Sequence, residues 1–153
     1  MEVEEQAIRW SIKDNNGNTV ILKKSTFENH VINDHSPIDA AVRAEIEPQI
    51  PYVISKPSLV VQDERSEGRI DYIGVVLIDK DEETYSVRTV VVVVDTDRKP
   101  WQVVTWFSNS RTTVKKRGVL YDYKNESENF KALRQGFRRF VRYVKRCFHI
   151  HRR

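Results

Sequence analysis

Five consecutive valines, Val90 to Val94, place the tightest constraint on what this chain can fold into. Successive side chains of a strand point to opposite faces, so a run of this kind needs cover on both. The valines are therefore predicted to lie in a central strand, part of a segment from Tyr85 to Val94. Three further segments, Leu59-Val-Val61, Asp71 to Ile78 and Trp101 to Phe107, are also rich in β-branched and aromatic residues. The turns between these segments are short and charged: Asp63–Gly68, Asp79–Glu83 and Asp95–Pro100. Connections of that length favour antiparallel neighbours. A four- to five-stranded antiparallel sheet follows.

The first third of the chain has a different pattern. Trp10-Ser-Ile12 and Val20-Ile-Leu22 flank Asp14-Asn-Asn-Gly-Asn18, and Asn-Gly is a strong turn signal because both residues tolerate positive φ. This segment is predicted as a β-hairpin. Ser25-Thr-Phe-Glu28 has the spacing of a capping box opening a helix. Ser36-Pro37-Ile-Asp39 marks a second helix start, with proline in the first turn. Ile38, Val42, Ile46 and Ile50 then recur every four residues, a stripe predicted to face the core. Pro48 is placed to kink or end that helix, and Pro51 and Pro57 fix its exit.

Arg111 to Tyr123 reads as irregular or as a hairpin extension. Glu128 to about His149 has apolar residues at helical spacing and a basic opposite face. The expected fold is α+β: an N-terminal hairpin and two helices packed on the sheet, with a basic amphipathic C-terminal helix. Residues 1–127 would form the core, and 128–153 the helix and tail of the same domain.

Composition narrows the classes of function. The chain has 153 residues, a length suited to one compact domain. No apolar run approaches the roughly 18–20 residues of a membrane span. The opening Met-Glu-Val-Glu-Glu lacks the features of a secretory signal. The single cysteine, Cys147, excludes an internal disulfide framework and a Cys-rich zinc site. A cytoplasmic, soluble protein is expected, without cofactor or metal.

The net charge of +4 conceals a division. Residues 111–153 carry 14 Lys/Arg and 3 Asp/Glu, or +11, leaving 12 and 19, or −7, for residues 1–110. A field so lopsided attracts polyanions, with nucleic acid the commonest. On the predicted last helix, Arg134, Arg138, Arg139, Arg142, Lys145 and Arg146 are the candidate nucleic-acid contacts. A packing role, in which the acidic front neutralises the basic back, explains the same charges.

Candidate chemistry is sparse. There is no Gly-rich phosphate loop, no Gly-x-Ser-x-Gly elbow and no paired-carboxylate motif. His30 and His35 are five residues apart, roughly 140° around a single helix, so both cannot face one metal unless the helix breaks near Asp34. His30 suits acid/base work, because histidine as a class titrates near neutrality, although single histidines are more often structural. Cys147, His149 and His151 suggest adventitious metal binding by a tail. Thr105 and Ser108 put hydroxyls beside a sheet otherwise made of valine. Such hydroxyls usually reflect strand propensity, and they gain interest only if a histidine and a cation converge on them.

Phe27-Glu-Asn-His30-Val-Ile-Asn-Asp-His35-Ser-Pro37, with the helix to Ile50 and Lys56-Pro57-Ser-Leu-Val60, resembles the opening of phage- and toxin-associated nucleases. These have the barnase–EndoU–colicin–RelE-like fold, in its phage-borne branch. There, an aromatic-x-x-His-x-x-x-x-His-Pro-Glu helix precedes a second helix, a Pro-bounded exit and an antiparallel sheet. Val103-Val-Thr105-Trp106 is similar to a late strand of that pattern. The resemblance spans roughly residues 8–110. Ser36 stands where the pattern has proline, and Pro37 follows one place late.

The resemblance implies metal-independent RNA cleavage. A base takes the ribose 2′-OH proton, the oxygen attacks the adjacent phosphorus, and an acid protonates the leaving 5′-oxygen. His30 and His35 match the motif histidines and Thr105 the strand hydroxyl. Arg88 is the expected strand cation, with Arg69 second. DNA lacks the 2′-OH and would not be cut. RNA is the implied partner, and an antitoxin or immunity protein a possible second one. The alternatives are a non-catalytic RNA- or protein-binding module, in which Trp101, Trp106 and Tyr121 could stack on bases, and a phage-encoded inhibitor acting through the basic helix.

Overall fold

A computed structural model of the chain describes residues 7–81, 84–109 and 119–122. The hairpin forms as its sequence predicts, from β1 (Ile8–Lys13) and β2 (Thr19–Lys23). Gly17 takes φ +87° in its turn, and the Asp14 carboxylate accepts from the backbone N–H groups of Asn16 and Asn18. The other carboxylate oxygen of Asp14 accepts from the Tyr72 hydroxyl at 2.7 Å, tying the turn to the sheet.

The hairpin is followed by α1 (Thr26–Asn33), α2 (Pro37–Ile46), a 3₁₀ turn over Glu47–Gln49, and α3 (Ile50–Ser55). α1 is wound with π-type bonds, as in Asp34 N–H to the Asn29 carbonyl. The expected capping box does not form. Ser25 is already helical and makes no side-chain cap. Ser36 caps α2 as predicted, its hydroxyl accepting from Asp39 N–H and Pro37 filling the first turn. Pro48 falls in the 3₁₀ turn that separates α2 from α3.

The strands β3 (Leu59–Gln62), β4 (Arg69–Asp79), β5 (Tyr85–Asp95), β6 (Trp101–Asn109) and β7 (Val119–Asp122) complete the described elements. Together with the hairpin they form one sheet of seven strands, in the order β1-β2-β6-β5-β4-β3-β7. The expected four- to five-stranded antiparallel sheet is therefore too small. It is also not purely antiparallel, because β2 runs parallel to β6 through Val20↔Trp101 and Ile21↔Gln102. The reason is visible in β2 itself: Val20, Ile21 and Leu22 are all buried, so the strand needs cover on both faces and obtains it inside the sheet.

The valine strand is central, fourth of seven. Val90, Val92 and Val94 join Tyr72, Val76, Ile46, Ile50, Ile54 and Trp106 in the helix-side core. Val93, with Ile73, Leu77 and Val61, is buried outside that cluster. The predicted apolar stripe is realised at three of its four positions, Val42 packing partly buried against the core. Ile46 and Ile50 are fully buried, whereas Ile38 is 82% exposed. A four-residue repeat gains about 40° on each helical step, so Ile38 has rotated out by the time Ile46 faces the sheet. Arg43, five residues on, is buried instead.

The predicted helix of residues 128–149 lies outside the described residues, as do Cys147, His149 and His151. No helix among the described residues is long and apolar enough to cross a membrane.

One buried charge on β4 gives a stability test. Asp71 lies between Val61 and Val93, and its Oδ1 is buried without a hydrogen-bond partner. Burial, with repulsion from Asp63 and Glu64 outweighing the pull of Arg65, pushes its carboxyl up to about 6 from an ordinary 3.8. Between those values the unfolded chain gives up a proton that the folded one keeps, so stability falls as pH rises through the window. Asp71→Asn is expected to raise the denaturant midpoint above pH 6, with the gain vanishing near pH 4. A midpoint series across that range checks it.

Candidate active site

Thr105 and, through Arg43 and Asp39, His35 are linked at one edge of β6. Pairing of β2 with β6 ends at Gln102, and beyond it α1 packs against β6 in place of a strand. On the other side, β6 is bulged: Val94 lies opposite Val103 and Val93 opposite Thr105, so Val104 has no partner. A bulge of this kind re-aims the side chains beside it. Thr105 and Trp106 are presented to α2 at this point.

Trp106 is fully buried and stacks on Phe27 of α1, centroids 6.0 Å apart. Arg9 of β1 lies over the other part of that stack, 4.0 Å from the Phe27 centroid, and pairs with Glu47. Trp106 is therefore core rather than a base-stacking platform, and Trp101 is packed against the same core. The indole Nε1–H of Trp106 donates to the Arg43 carbonyl at 3.1 Å, one of the last-turn carbonyls that a helix leaves short of partners.

Arg43 makes the principal link between helix and sheet. Its Nη1 donates to the Trp106 carbonyl and, at 3.0 Å, to the Thr105 hydroxyl. Its Nε donates to Asp39 Oδ2 at 3.0 Å. The same Asp39 oxygen lies 3.2 Å from His35 Nδ1. A continuous polar chain thus runs His35–Asp39–Arg43–Thr105, from the surface into the helix–sheet junction. His35 is 28% exposed and Asp39 47%, whereas Arg43 is 8% exposed.

His30 repeats the first part of this arrangement. Its Nδ1 lies 3.1 Å from Asp34 Oδ2, again four residues on, with the ring 64% exposed. The helix does break near Asp34: His30 stands on α1, and His35 lies within the break at Asp34–Ser36, just before α2. Each carboxylate calls for a proton on Nδ1, which leaves Nε2 with its lone pair turned away from the carboxylate. An imidazole so held accepts a proton at Nε2, and its carboxylate stabilises the imidazolium that results. Thr105, accepting from Arg43, keeps its own O–H as a donor.

Of the residues expected from the sequence, the structure joins His35 and Thr105 in one network and gives His30 a matching dyad. It does not bring Arg88 to them. Arg88 pairs with Val76 on β4, five residues along β5 from Val93, which faces Thr105. At about 3.3 Å per residue that is roughly 17 Å along the strand. Arg69 pairs with Asp95 at the opposite end of β4 from Val76. Arg134, Arg138, Arg139, Arg142, Lys145 and Arg146 lie outside the described residues.

Asp39 and Arg43 are the site residues that the sequence reading missed. Their signal was available: His35, Asp39 and Arg43 are spaced i, i+4, i+8, which stacks opposite charges along one helix face. Among the described residues, no three His, Cys, Asp or Glu side chains come together as a metal-holding group.

An α+β domain with two carboxylate-backed histidines and a threonine hydroxyl fits acid/base chemistry on a polar substrate. Residues 4–140 match the family described as phage-Barnase-EndoU-ColicinE5/D-RelE like nuclease 2, and the chain belongs to that family. The match runs beyond residue 110, where the resemblance read from the sequence stopped. No curated protein and no solved structure matches the chain.

The indole contact can be tested directly. Trp106→Phe keeps the ring stack but leaves the Arg43 carbonyl without its donor. It is expected to lose about 1–3 kcal/mol of stability, the usual result of stranding a buried polar group. Equilibrium denaturation with urea measures it.

Proposed function

We propose that this domain is a metal-independent endoribonuclease of the phage or toxin type. On this reading it cleaves by attack of the ribose 2′-oxygen on the adjacent phosphorus. The observation that carries the reading is the pair of His–Asp dyads, each leaving Nε2 free to exchange a proton. One histidine takes the 2′-OH proton as the P–O bond to the 2′-oxygen forms. The other gives a proton to the 5′-oxygen as its bond to phosphorus breaks, leaving a 2′,3′-cyclic phosphate. Thr105 donates a hydrogen bond to a phosphoryl oxygen while negative charge gathers there. Membership of a nuclease family supports nucleic acid as the substrate.

Arg88 has no part in this assignment, since it stands roughly 17 Å along β5 from the residue that faces Thr105. Affinity for the RNA backbone is assigned to the basic segment 111–153, with its +11 charge.

RNA cleavage in EDTA tests the proposal. The wild type is expected to yield cyclic-phosphate ends, and His30→Ala and His35→Ala each to lose about 10²- to 10⁴-fold in rate, the usual contribution of one proton-transfer partner. DNA of the same sequence should survive. Salt-sensitive RNA binding without cleavage by the wild type would overturn the enzyme reading in favour of the RNA-binding module.

A further inference from the structure

We infer that Arg43 is the positioning residue of this site, holding His35 through Asp39 and Thr105 directly, an inference that rests on the nuclease reading above.

A buried guanidinium in a helix–sheet junction usually serves packing and nothing more. Three observations set this one apart. First, its donors go to both ends of the reaction centre proposed here. Nε reaches the carboxylate that backs His35, and Nη1 reaches the hydroxyl of Thr105. Second, the guanidinium itself is fixed: it donates to the Trp106 carbonyl, and Trp106 donates back to the Arg43 carbonyl. The planar fork therefore has one pose, set by the backbone of β6. Third, Asp39 is half exposed, with 47% of its side chain accessible. Among the described residues, Arg43 and His35 itself are the side chains that hold that carboxylate.

Burial excludes a more obvious role. A cation stabilising the phosphorane must reach the phosphate with free N–H groups. Arg43 is 7% exposed and commits Nε and Nη1 to the protein. It acts on the substrate only through the groups that it orients.

Charge-assisted hydrogen bonds are about twice as strong as neutral ones. Asp39, held by Arg43, therefore imposes the Nδ1–H form on the neutral His35 ring. If Asp39 swings away, the ring becomes a mixture of tautomers and presents the wrong nitrogen for part of the time. Thr105 likewise loses the donor that fixes the direction of its O–H. A misplacement of about 1 Å at either group can cost on the order of 10²-fold in rate.

The decisive variant is Arg43→Lys, which keeps the charge but not the fork. Two readouts are needed: ¹⁵N signals of the His35 ring, and kcat and KM for RNA cleavage by folded protein. The wild type should show the Nδ1–H form. R43K should show mixed tautomers and a kcat lower by about 10²-fold with KM unchanged, because Thr105 acts as charge gathers in the transition state and the basic segment that binds the RNA is not altered. Wild-type ring signals and wild-type kcat in a folded R43K, with only the melting temperature lowered, would make Arg43 a structural ion pair and overturn the inference.

Should R43K not fold, Asp39→Ala carries the same readouts, since it removes the oxygen through which Arg43 reaches His35. A ring unchanged from the wild type in D39A would equally overturn it. The ring signals do not depend on activity. A wild type that fails to cut RNA therefore removes the nuclease reading, while the ring still decides whether Arg43 positions His35.

Discussion

The buried guanidinium of Arg43 is the interaction on which the arrangement of the rest depends. Removing an ion from water costs several kcal/mol, and only close geometry with further hydrogen bonds offsets it. Here the geometry comes from three directions: the Asp39 carboxylate on the same helix, the Thr105 hydroxyl, and a backbone carbonyl on β6. Such a set is met in one position of α2 against the sheet. A purely apolar contact would tolerate sliding, because hydrophobic burial is non-directional. The charged contact does not, and so the first turns of α2, with His35 just before them, are set relative to Thr105.

That contact is possible because of how β6 is flanked. Had β2 paired along its whole length, the Trp106 region would have had a strand beside it in place of helices. The pairing stops at Gln102, and α1 comes in at the edge that follows. The bulge at Val104 shifts the side-chain pattern of β6 by one, so Val103 and Trp106 both enter the helix-side core although they are three apart. In a regular strand, residues with odd separation face opposite sides. One unpaired residue thus allows β6 to bury a tryptophan and still offer the adjacent threonine to Arg43.

The sequence is legible where a single local rule decides the outcome. Val90–Val94 can only be a central strand, Asn16-Gly17 can only be a turn, and Ser36-Pro37 starts a helix wherever it is placed. It is less legible where distant segments compete. Nothing local to Val20-Ile-Leu22 says that the hairpin will enter the sheet beside β6; the demand for two-sided cover does, once the sheet exists. Ile38 and Arg43 show the same limit. An apolar residue in the first turn of α2 faces out and a charged one faces in, because the sheet supplies Trp106 and Thr105 at the height of Arg43 and nothing at the height of Ile38. Arg88 failed as the site cation for a related reason: interruption of an apolar strand marks a residue as unusual but does not say where along the strand its neighbours lie. His30, His35 and Thr105 were legible as residue types in a pattern. The carboxylates behind the histidines are local features too, four residues on in each case, but acidic residues near turns are adequately explained by solvation, and the spacing alone does not mark them as partners.

The dyads also bear on how the charge of the chain is divided. Each histidine carries its own carboxylate; Asp39 is balanced by Arg43 inside the fold and Asp34 faces solvent beside His30, so neither dyad offers the phosphate a cation of its own. A phosphate approaching such a site depends on cations outside it to hold it there. Residues 1–110, at −7, have no surplus to offer, whereas residues 111–153 carry +11. On the nuclease reading, proton transfer and polyanion affinity are therefore carried by different parts of the chain, and neither suffices alone. The proton-transfer groups can keep carboxylates that fix their tautomers because they are relieved of attracting the substrate. A site that had to do both with the same residues would face opposite demands: carboxylates to hold each ring, and their absence to admit the phosphate.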